Sequence, residues 1–195
     1  MQNNLNWKNQ FEKVNKKVNH GLYQLKRLQS VLDKRSLKIV SDGLVMSNIR
    51  YCLSVYASGS IRISEEEPKS KLLSDLQVKQ NNMLRIINKC KLSDQKSIKS
   101  MLENSDMLSV NQLACLTILL DMWKAIHLEI TPLKEMFQPR NSIRFQNSFK
   151  TSEDPNSFIT KGAKLWERSS KSFKETNLLT VAKKEAIKFV KTLPI

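Results

Sequence analysis

Apolar residues near the start of the chain recur at the spacing of an α-helix, and this periodicity restricts the folds open to it. Intervals of four, three, four, seven and seven residues separate Trp7, Phe11, Val14, Val18, Leu25 and Leu32. Only four glycines and five prolines occur in 195 residues, too few for the tight turns of an all-β chain. The sequence therefore predicts a mostly α-helical protein.

Further helices are predicted over residues 36–56, 71–90, 97–104, 109–126, 131–137, 157–170 and 180–193. The segment 109–126 is apolar on nearly all sides, so it is expected at the centre of the core, with Trp123 as its largest side chain. Residues 36–56 are predicted to bury one face that carries Leu37, Val40, Leu44, Tyr51 and Val55, interrupted by Asn48. A buried Asn48 would need a partner on a neighbouring helix or on the backbone.

These elements favour a multi-helix bundle of about five to seven helices with a less regular basic C-terminal region. We expect a packed bundle over residues 1–130 and a basic extension over residues 131–195. Residues 139–160 fit either a short hairpin or an ordered loop, because Ile143, Phe145 and Phe149 alternate only briefly.

Positive charge is concentrated at the two ends of the chain. The net charge is +15, and residues 1–50 contain ten basic against three acidic residues. Residues 134–195 contain thirteen against six, whereas the centre is nearly neutral. Such a charge distribution attracts nucleic-acid phosphates or anionic lipid headgroups, although a soluble lysine-rich surface is the simpler alternative.

Cysteine and histidine usage argues against a zinc site. Cys52, Cys90 and Cys115 are widely spaced, and His20 and His127 are the only histidines, so four clustered ligands are not expected. Free buried thiols in a reducing compartment fit better. The polar N-terminus does not resemble a signal peptide, and the longest apolar run is too short to cross a bilayer. We expect a soluble intracellular protein, nuclear or cytoplasmic, without a membrane partner.

No combination of residues predicts a reaction centre. The aspartates are dispersed, and the one acidic cluster, Glu65–Glu67, adjoins Pro68 in a predicted loop where a solvated cluster is more common than a metal site. Neither a phosphate-binding glycine motif nor a sequence-adjacent partner for either histidine occurs. We expect no catalytic residue, metal, cofactor or small-molecule substrate.

The exposed side of the first helix is the main candidate site. At 100° per residue, its basic and aromatic side chains project away from the apolar stripe, and they suit phosphate and sugar contacts: Lys13, Lys16, His20, Tyr23 and Arg27. A second candidate patch on the last helix comprises Lys183, Lys184 and Lys188. Periodicity alone fits an ordinary solvated helix face equally well. Gly21 is a weak point in the first helix, costing about 1 kcal/mol relative to alanine.

Several blocks, in order, resemble the region that follows the polymerase core in Jockey-like reverse transcriptases of non-LTR retrotransposons. The first block is "LNWKNQFEKVNKKVNHGLYQLKRLQSVL" (5–32), similar to a W-x-x-[HQ]-[IF] start that leads into a lysine-rich helix. It is followed by "LKIVSDGLVMSNIRYCLSVY" (37–56), "LSDLQVKQNNMLRII" (73–87) and "MLSVNQLACLTILLDMWKAIH" (107–127). The last blocks are "GAKLWERSSKSFKE" (162–175), with Glu167 where asparagine is usual, and "KKEAIKFVKTLPI" (183–195).

The resemblance implies a thumb-like helical region and its C-terminal extension, truncated so that the family's upstream "[FY]-x-D-D" motif is missing. Such a fragment would lack polymerase activity and would hold RNA or an RNA–DNA hybrid by its backbone. One face could also pack against the missing polymerase palm. The alternatives are a domesticated or relic helical protein-interaction module without a nucleic-acid role, or a pseudogene product with a partly exposed core around Trp7 and Phe11.

Overall fold

The computed structural model describes residues 7–51, 53–128, 131–138 and 148–195, and it confirms a mostly α-helical fold. The helices are α1 (Lys8–Leu28), α2 (Lys34–Ser41), α3 (Ser47–Arg50), α4 (Leu53–Tyr56), α5 (Lys71–Ile87), α6 (Ile98–Asn104), α7 (Val110–His127), α8 (Thr131–Met136), α9 (Phe158–Arg168), α10 (Lys171–Glu175) and α11 (Leu179–Val190). A π-helical turn, Asp42–Met46, joins α2 to α3. None of the helices in the described ranges qualifies as a membrane-spanning segment by length and hydropathy.

Two compact units divide the chain, and each combines segments that are separate in sequence. Unit 1 comprises residues 1–56, 70–110 and 195, whereas unit 2 comprises residues 57–69 and 111–194. This division differs from the predicted boundary at 130/131, because helices on both sides of that boundary share the core of unit 2. The indole Nε1 of Trp123 in α7, for example, donates a hydrogen bond to the carbonyl of Thr176 at 3.0 Å.

Unit 1 is organised around α1, which packs against α5 and the π turn. Val18 and Leu25 of α1 are fully buried, as is Gln80 of α5. The buried Gln80 amide donates to the carbonyl of Leu108 at 2.8 Å, so this polar group is satisfied inside the unit.

The π turn changes which face of the second helical segment is buried. Buried positions occur every four residues from α2 to α4, at Leu37, Ser41, Val45, Ile49 and Leu53. A regular α-helix has 3.6 residues per turn, so positions four residues apart would gradually move around the helix. The wider π turn inserts one residue and thereby keeps these positions on the buried side. The expected burial of Tyr51 and Val55 is therefore wrong: they are 66% and 48% exposed.

The core of unit 2 is built on α7 and a row of aromatic side chains. Trp123 is the largest fully buried side chain, as predicted. Phe149 contacts Trp166 edge to face, and Trp166 contacts Phe173 in the same way, with ring centroids 5.7 and 5.6 Å apart. Of the segment 139–160, residues 139–147 lie outside the described residues, and 148–157 form no helix.

The cysteines that the structure describes are free thiols. Cys115 is buried, and burial raises its pKa to about 12, so the thiol stays protonated at neutral pH. Cys90 is half-buried, and Cys52 lies outside the described residues. A thiol with a raised pKa is a poor nucleophile, which makes Cys115 a packing residue of unit 2.

The acidic cluster at Glu65–Glu67 is only partly solvated, contrary to expectation. Glu65 and Glu66 are exposed, but Glu67 pairs with Lys161, a buried side chain of α9, at 3.0 Å. The Lys161 ammonium also donates to the carbonyl of Ile61, and Glu67 accepts from the Ile63 N–H at 2.7 Å. Burial alone would raise the pKa of Glu67, but these hydrogen bonds outweigh it and hold the pKa below its usual 4.5.

Arg62 anchors the same loop from its other side. Its guanidinium Nε donates to the carbonyl of Glu67 at 2.8 Å, and its backbone N–H donates to the Asn111 side chain at 2.8 Å. The Asn111 amide donates in turn to the Arg62 carbonyl at 3.0 Å. Residues 57–69 are therefore held in unit 2 by buried polar bonds rather than by apolar packing alone.

Candidate nucleic-acid interface

Helix α1 separates a buried apolar side from an exposed basic side. Positions four, three and four residues apart are buried: Val14, Val18, Gly21 and Leu25. The five side chains nominated from the sequence are all exposed, and we refer to them as the α1 face: Lys13, Lys16, His20, Tyr23 and Arg27. The periodicity therefore identified correctly which side of this helix is exposed.

Positive charge on α1 is nearly uncompensated. Its cationic residues are Lys8, Lys13, Lys16, Lys17, Lys26 and Arg27, whereas Glu12 is its one acid. Each ion pair between described residues involves other positions, so no described carboxylate lies within 4.0 Å of the Lys13, Lys16, Lys17, Lys26 or Arg27 cation. Unpaired cations on the exposed side of a helix produce a positive electrostatic potential that attracts anionic ligands.

Tyr23 and Arg27 form a pair on the α1 face. The guanidinium carbon of Arg27 lies 6.0 Å from the centroid of the Tyr23 ring, at the outer limit of a cation–π contact. The Tyr23 side chain is 63% exposed, so most of its ring remains accessible. An exposed ring beside a cation can stack on a base or sugar while the cation contacts a phosphate.

An open groove lies between α1 and the π turn, inside unit 1. Its volume is about 460 Å³, and its lining includes Lys16, Lys17, His20 and Gln24 from α1 and Gly43, Leu44 and Asn48 from the opposite side. The Gln24 amide nitrogen lies 2.9 Å from Nε2 of His20, which fixes the imidazole against the helix. The Asn48 amide donates to the Leu44 carbonyl at 2.9 Å, a backbone partner of the kind predicted for this residue.

Gly21 allows the two sides of the groove to approach this closely. A Cβ at position 21 would lie 2.4 Å from the carbonyl oxygen of Leu44, well inside van der Waals contact. The sequence identified Gly21 only as a weak helix position, since nothing in its periodicity reveals the backbone that packs on it. The residue is better understood as the contact point between α1 and the π turn.

The second candidate patch, on α11, is more compensated than the α1 face. Lys183, Lys184 and Lys188 are exposed, but Lys188 pairs with Glu185 at 2.6 Å. Hydrogen bonds from Lys188 and Ser172 hold the pKa of Glu185 below its usual value, so this carboxylate stays charged at neutral pH. The α11 patch belongs to unit 2 and the α1 face to unit 1.

Neither histidine of the described chain pairs with a serine or cysteine nucleophile. His127 Nδ1 lies 3.1 Å from the Trp123 carbonyl, and its ring stacks on the Trp123 indole with centroids 4.6 Å apart. His20 is held by Gln24. Among the described residues, no three His, Cys, Asp or Glu side chains lie together in a group that could hold a metal ion.

Comparison with known protein families, curated proteins and solved structures finds no match. The resemblance to a retrotransposon reverse transcriptase therefore rests on the sequence blocks quoted above. The α1 face and the adjoining groove are the candidate functional features of the described chain.

Proposed function

We propose that this protein binds nucleic acid through the α1 face, without sequence specificity and without catalysis, with RNA or an RNA–DNA hybrid as the partner. One observation carries the proposal: α1 exposes a set of cations that no described carboxylate neutralises. Phosphate contacts from such a surface release counterions from the nucleic acid, and this release drives binding regardless of base sequence.

The dimensions of the α1 face suit several phosphates. Lys13 and Arg27 are fourteen positions apart, so they are separated by about 21 Å along the helix axis at 1.5 Å per residue. Lys79 of α5 adds a further cation beside the helix, where its ammonium donates to the Asn19 side chain of α1. A helix of this length can follow one strand of a duplex across several nucleotides.

The sequence resemblance supports the same assignment. A thumb-like helical region of a reverse transcriptase would lie along the primer–template duplex, and a basic helix is what such a role requires. Under this proposal the chain is the C-terminal part of a non-LTR retrotransposon reverse transcriptase. The competing proposal, a helical protein-interaction module, expects an acidic protein partner and no affinity for duplexes.

Binding to an RNA–DNA hybrid should depend steeply on salt and on the α1 face. Between about 50 and 300 mM salt, four phosphate contacts give a log–log slope of roughly −3 to −4. Because each charge reversal removes a phosphate contact, the Lys13→Glu/Arg27→Glu variant should lower the magnitude of the slope by about 2. Fluorescence anisotropy with a labelled hybrid and with the matching DNA duplex measures both quantities.

The matched control changes net charge equally but away from the α1 face. Lys96 and Lys99 are exposed and also belong to unit 1, so Lys96→Glu/Lys99→Glu should leave most of the affinity intact. Equal losses in the two double variants would mean that overall charge, rather than the α1 face, drives binding. A folded, monodisperse protein that binds neither duplex at low salt would contradict the proposal and favour the interaction module.

A further inference from the structure

We infer that the groove between α1 and the π turn holds one unpaired base, so that the protein binds single-stranded nucleic acid more tightly than a duplex. This inference rests on the proposed function, because it assumes that phosphates reach the α1 face. It adds a preference for unpaired nucleotides, which backbone contacts alone would not produce.

The size and position of the groove are suitable for a base from a bound strand. A volume of about 460 Å³ falls within the range of small-ligand sites, and it exceeds what a single ordered water or ion requires. Lys16 and His20 belong both to the α1 face and to the groove lining. A strand whose phosphates contact Lys16 and Lys17 therefore passes directly beside the groove.

The lining offers contacts that suit a base rather than a phosphate. The exposed His20 ring supplies a π-face for stacking, and Leu44 supplies an apolar surface opposite α1. The nitrogen of each lining amide is already hydrogen-bonded: Asn48 Nδ2 to the Leu44 carbonyl and Gln24 Nε2 to His20. The oxygens of these two side chains are left to accept hydrogen bonds from base amino groups.

A paired base cannot use these contacts without leaving its helix. Extruding a base from a duplex costs a few kcal/mol of lost stacking and pairing, whereas a base in a single strand is already accessible. The α1 face contacts the backbone in both cases. The groove should therefore favour single strands, and the difference should depend on the base itself.

Gly43 provides a way to fill the groove without disturbing the fold. It lines the groove, and a Cβ added there meets no heavy atom within 4 Å. Leucine also has a higher helix propensity than glycine. Gly43→Leu should therefore fold normally, which circular dichroism verifies, while its side chain occupies the space available to a base.

The experiment compares three labelled ligands of the same length, about 12 nucleotides: a single strand, the same strand with abasic sugars, and the corresponding duplex. The native protein should bind the intact strand about tenfold more tightly than the abasic strand, which has equal backbone charge. Gly43→Leu should remove most of this difference, leaving only what stacking on Tyr23 contributes, and should leave duplex affinity unchanged. His20→Ala, at an exposed position, should reduce the same difference.

The outcomes separate this inference from the proposed function. Equal affinity for intact and abasic strands, with duplex binding retained, would overturn the base-binding groove but leave the proposed function standing. If Gly43→Leu and His20→Ala both kept the native ratio of affinities for the intact and abasic strands, the base would bind elsewhere. That result would also overturn the inference. Absence of binding to all three ligands would overturn both.

Discussion

Replacing Lys161 with methionine is expected to lower the free energy of unfolding by about 2–4 kcal/mol. The Lys161 side chain is only 6% exposed, and it donates to both Glu67 and the carbonyl of Ile61. Methionine keeps most of the volume but removes one of the two donors to the Glu67 carboxylate and the Lys161 donor to the Ile61 carbonyl. Because Glu67 retains some solvent contact, the loss should fall below the maximum for a fully buried pair. Urea denaturation followed by tryptophan fluorescence measures this loss, since two of the three tryptophans, Trp123 and Trp166, belong to the affected unit.

A matched control lies three residues further along α9. Lys164 is exposed and makes no ion pair in the described structure, and its charge has only the smallest effect on Glu67, so Lys164→Met should change the free energy of unfolding by less than about 0.5 kcal/mol. A similar loss in both variants would show that methionine on α9 is itself disruptive. An unaffected Lys161→Met protein would contradict the assignment of Lys161 as the anchor of residues 57–69.

Glu67 should also make a pH-dependent contribution to stability. Its folded-state pKa lies below the usual 4.5, so the folded protein favours the charged carboxylate. The resulting stabilisation is fully present above about pH 4.5 and is lost as the pH falls through the folded-state pKa. Glu67→Gln should therefore be less stable than the native protein at pH 7, with the difference narrowing below about pH 4.5. Urea titrations at several pH values test this, and a constant difference would contradict it.

Gly21→Ala should destabilise unit 1 although alanine is the better helix former. The added Cβ would lie 2.4 Å from the Leu44 carbonyl oxygen and 3.0 Å from its carbon, so backbone must move. Such overpacking costs about 1–3 kcal/mol or more, against a propensity gain of about 1 kcal/mol. We expect a net loss of about 1–2 kcal/mol in the free energy of unfolding, measured by far-ultraviolet circular dichroism during denaturation.

Gly43→Ala is the internal comparison, because its Cβ meets nothing within 4 Å. Without a steric penalty, the propensity gain alone should stabilise the protein by about 0.5–1 kcal/mol. The two glycine variants should thus change stability in opposite directions. If both were stabilising, α1 and the π turn would not be in the close contact described here.

Helix positions were predictable from the sequence because apolar spacing is a local signal. The buried Val14, Val18 and Leu25, and the exposed Lys13 and Arg27, follow directly from one period of 3.6 residues. Trp123 was identifiable because the segment around it is apolar on nearly every side. The same local signal defined the α1 face without any knowledge of its neighbours.

The features that the sequence did not reveal all depend on contacts between distant segments. Lys161 and Glu67 are ninety-four positions apart, and nothing local distinguishes this lysine from exposed ones such as Lys164. The groove requires Gly21 and Leu44 to meet, which no periodicity encodes. Tyr51 and Val55 were misassigned because the prediction assumed an uninterrupted 3.6-residue period across the π turn.

The π turn also bears on how related chains could differ in length. It amounts to one extra residue, so a relative lacking it would be one residue shorter between Leu37 and Ile49 while keeping the same apolar side chains buried. Such a deletion would be conservative rather than disruptive. It would also withdraw the Leu44 carbonyl from α1, so the position equivalent to Gly21 could then carry a side chain. Loss of the extra residue and loss of the glycine should therefore occur together in evolution.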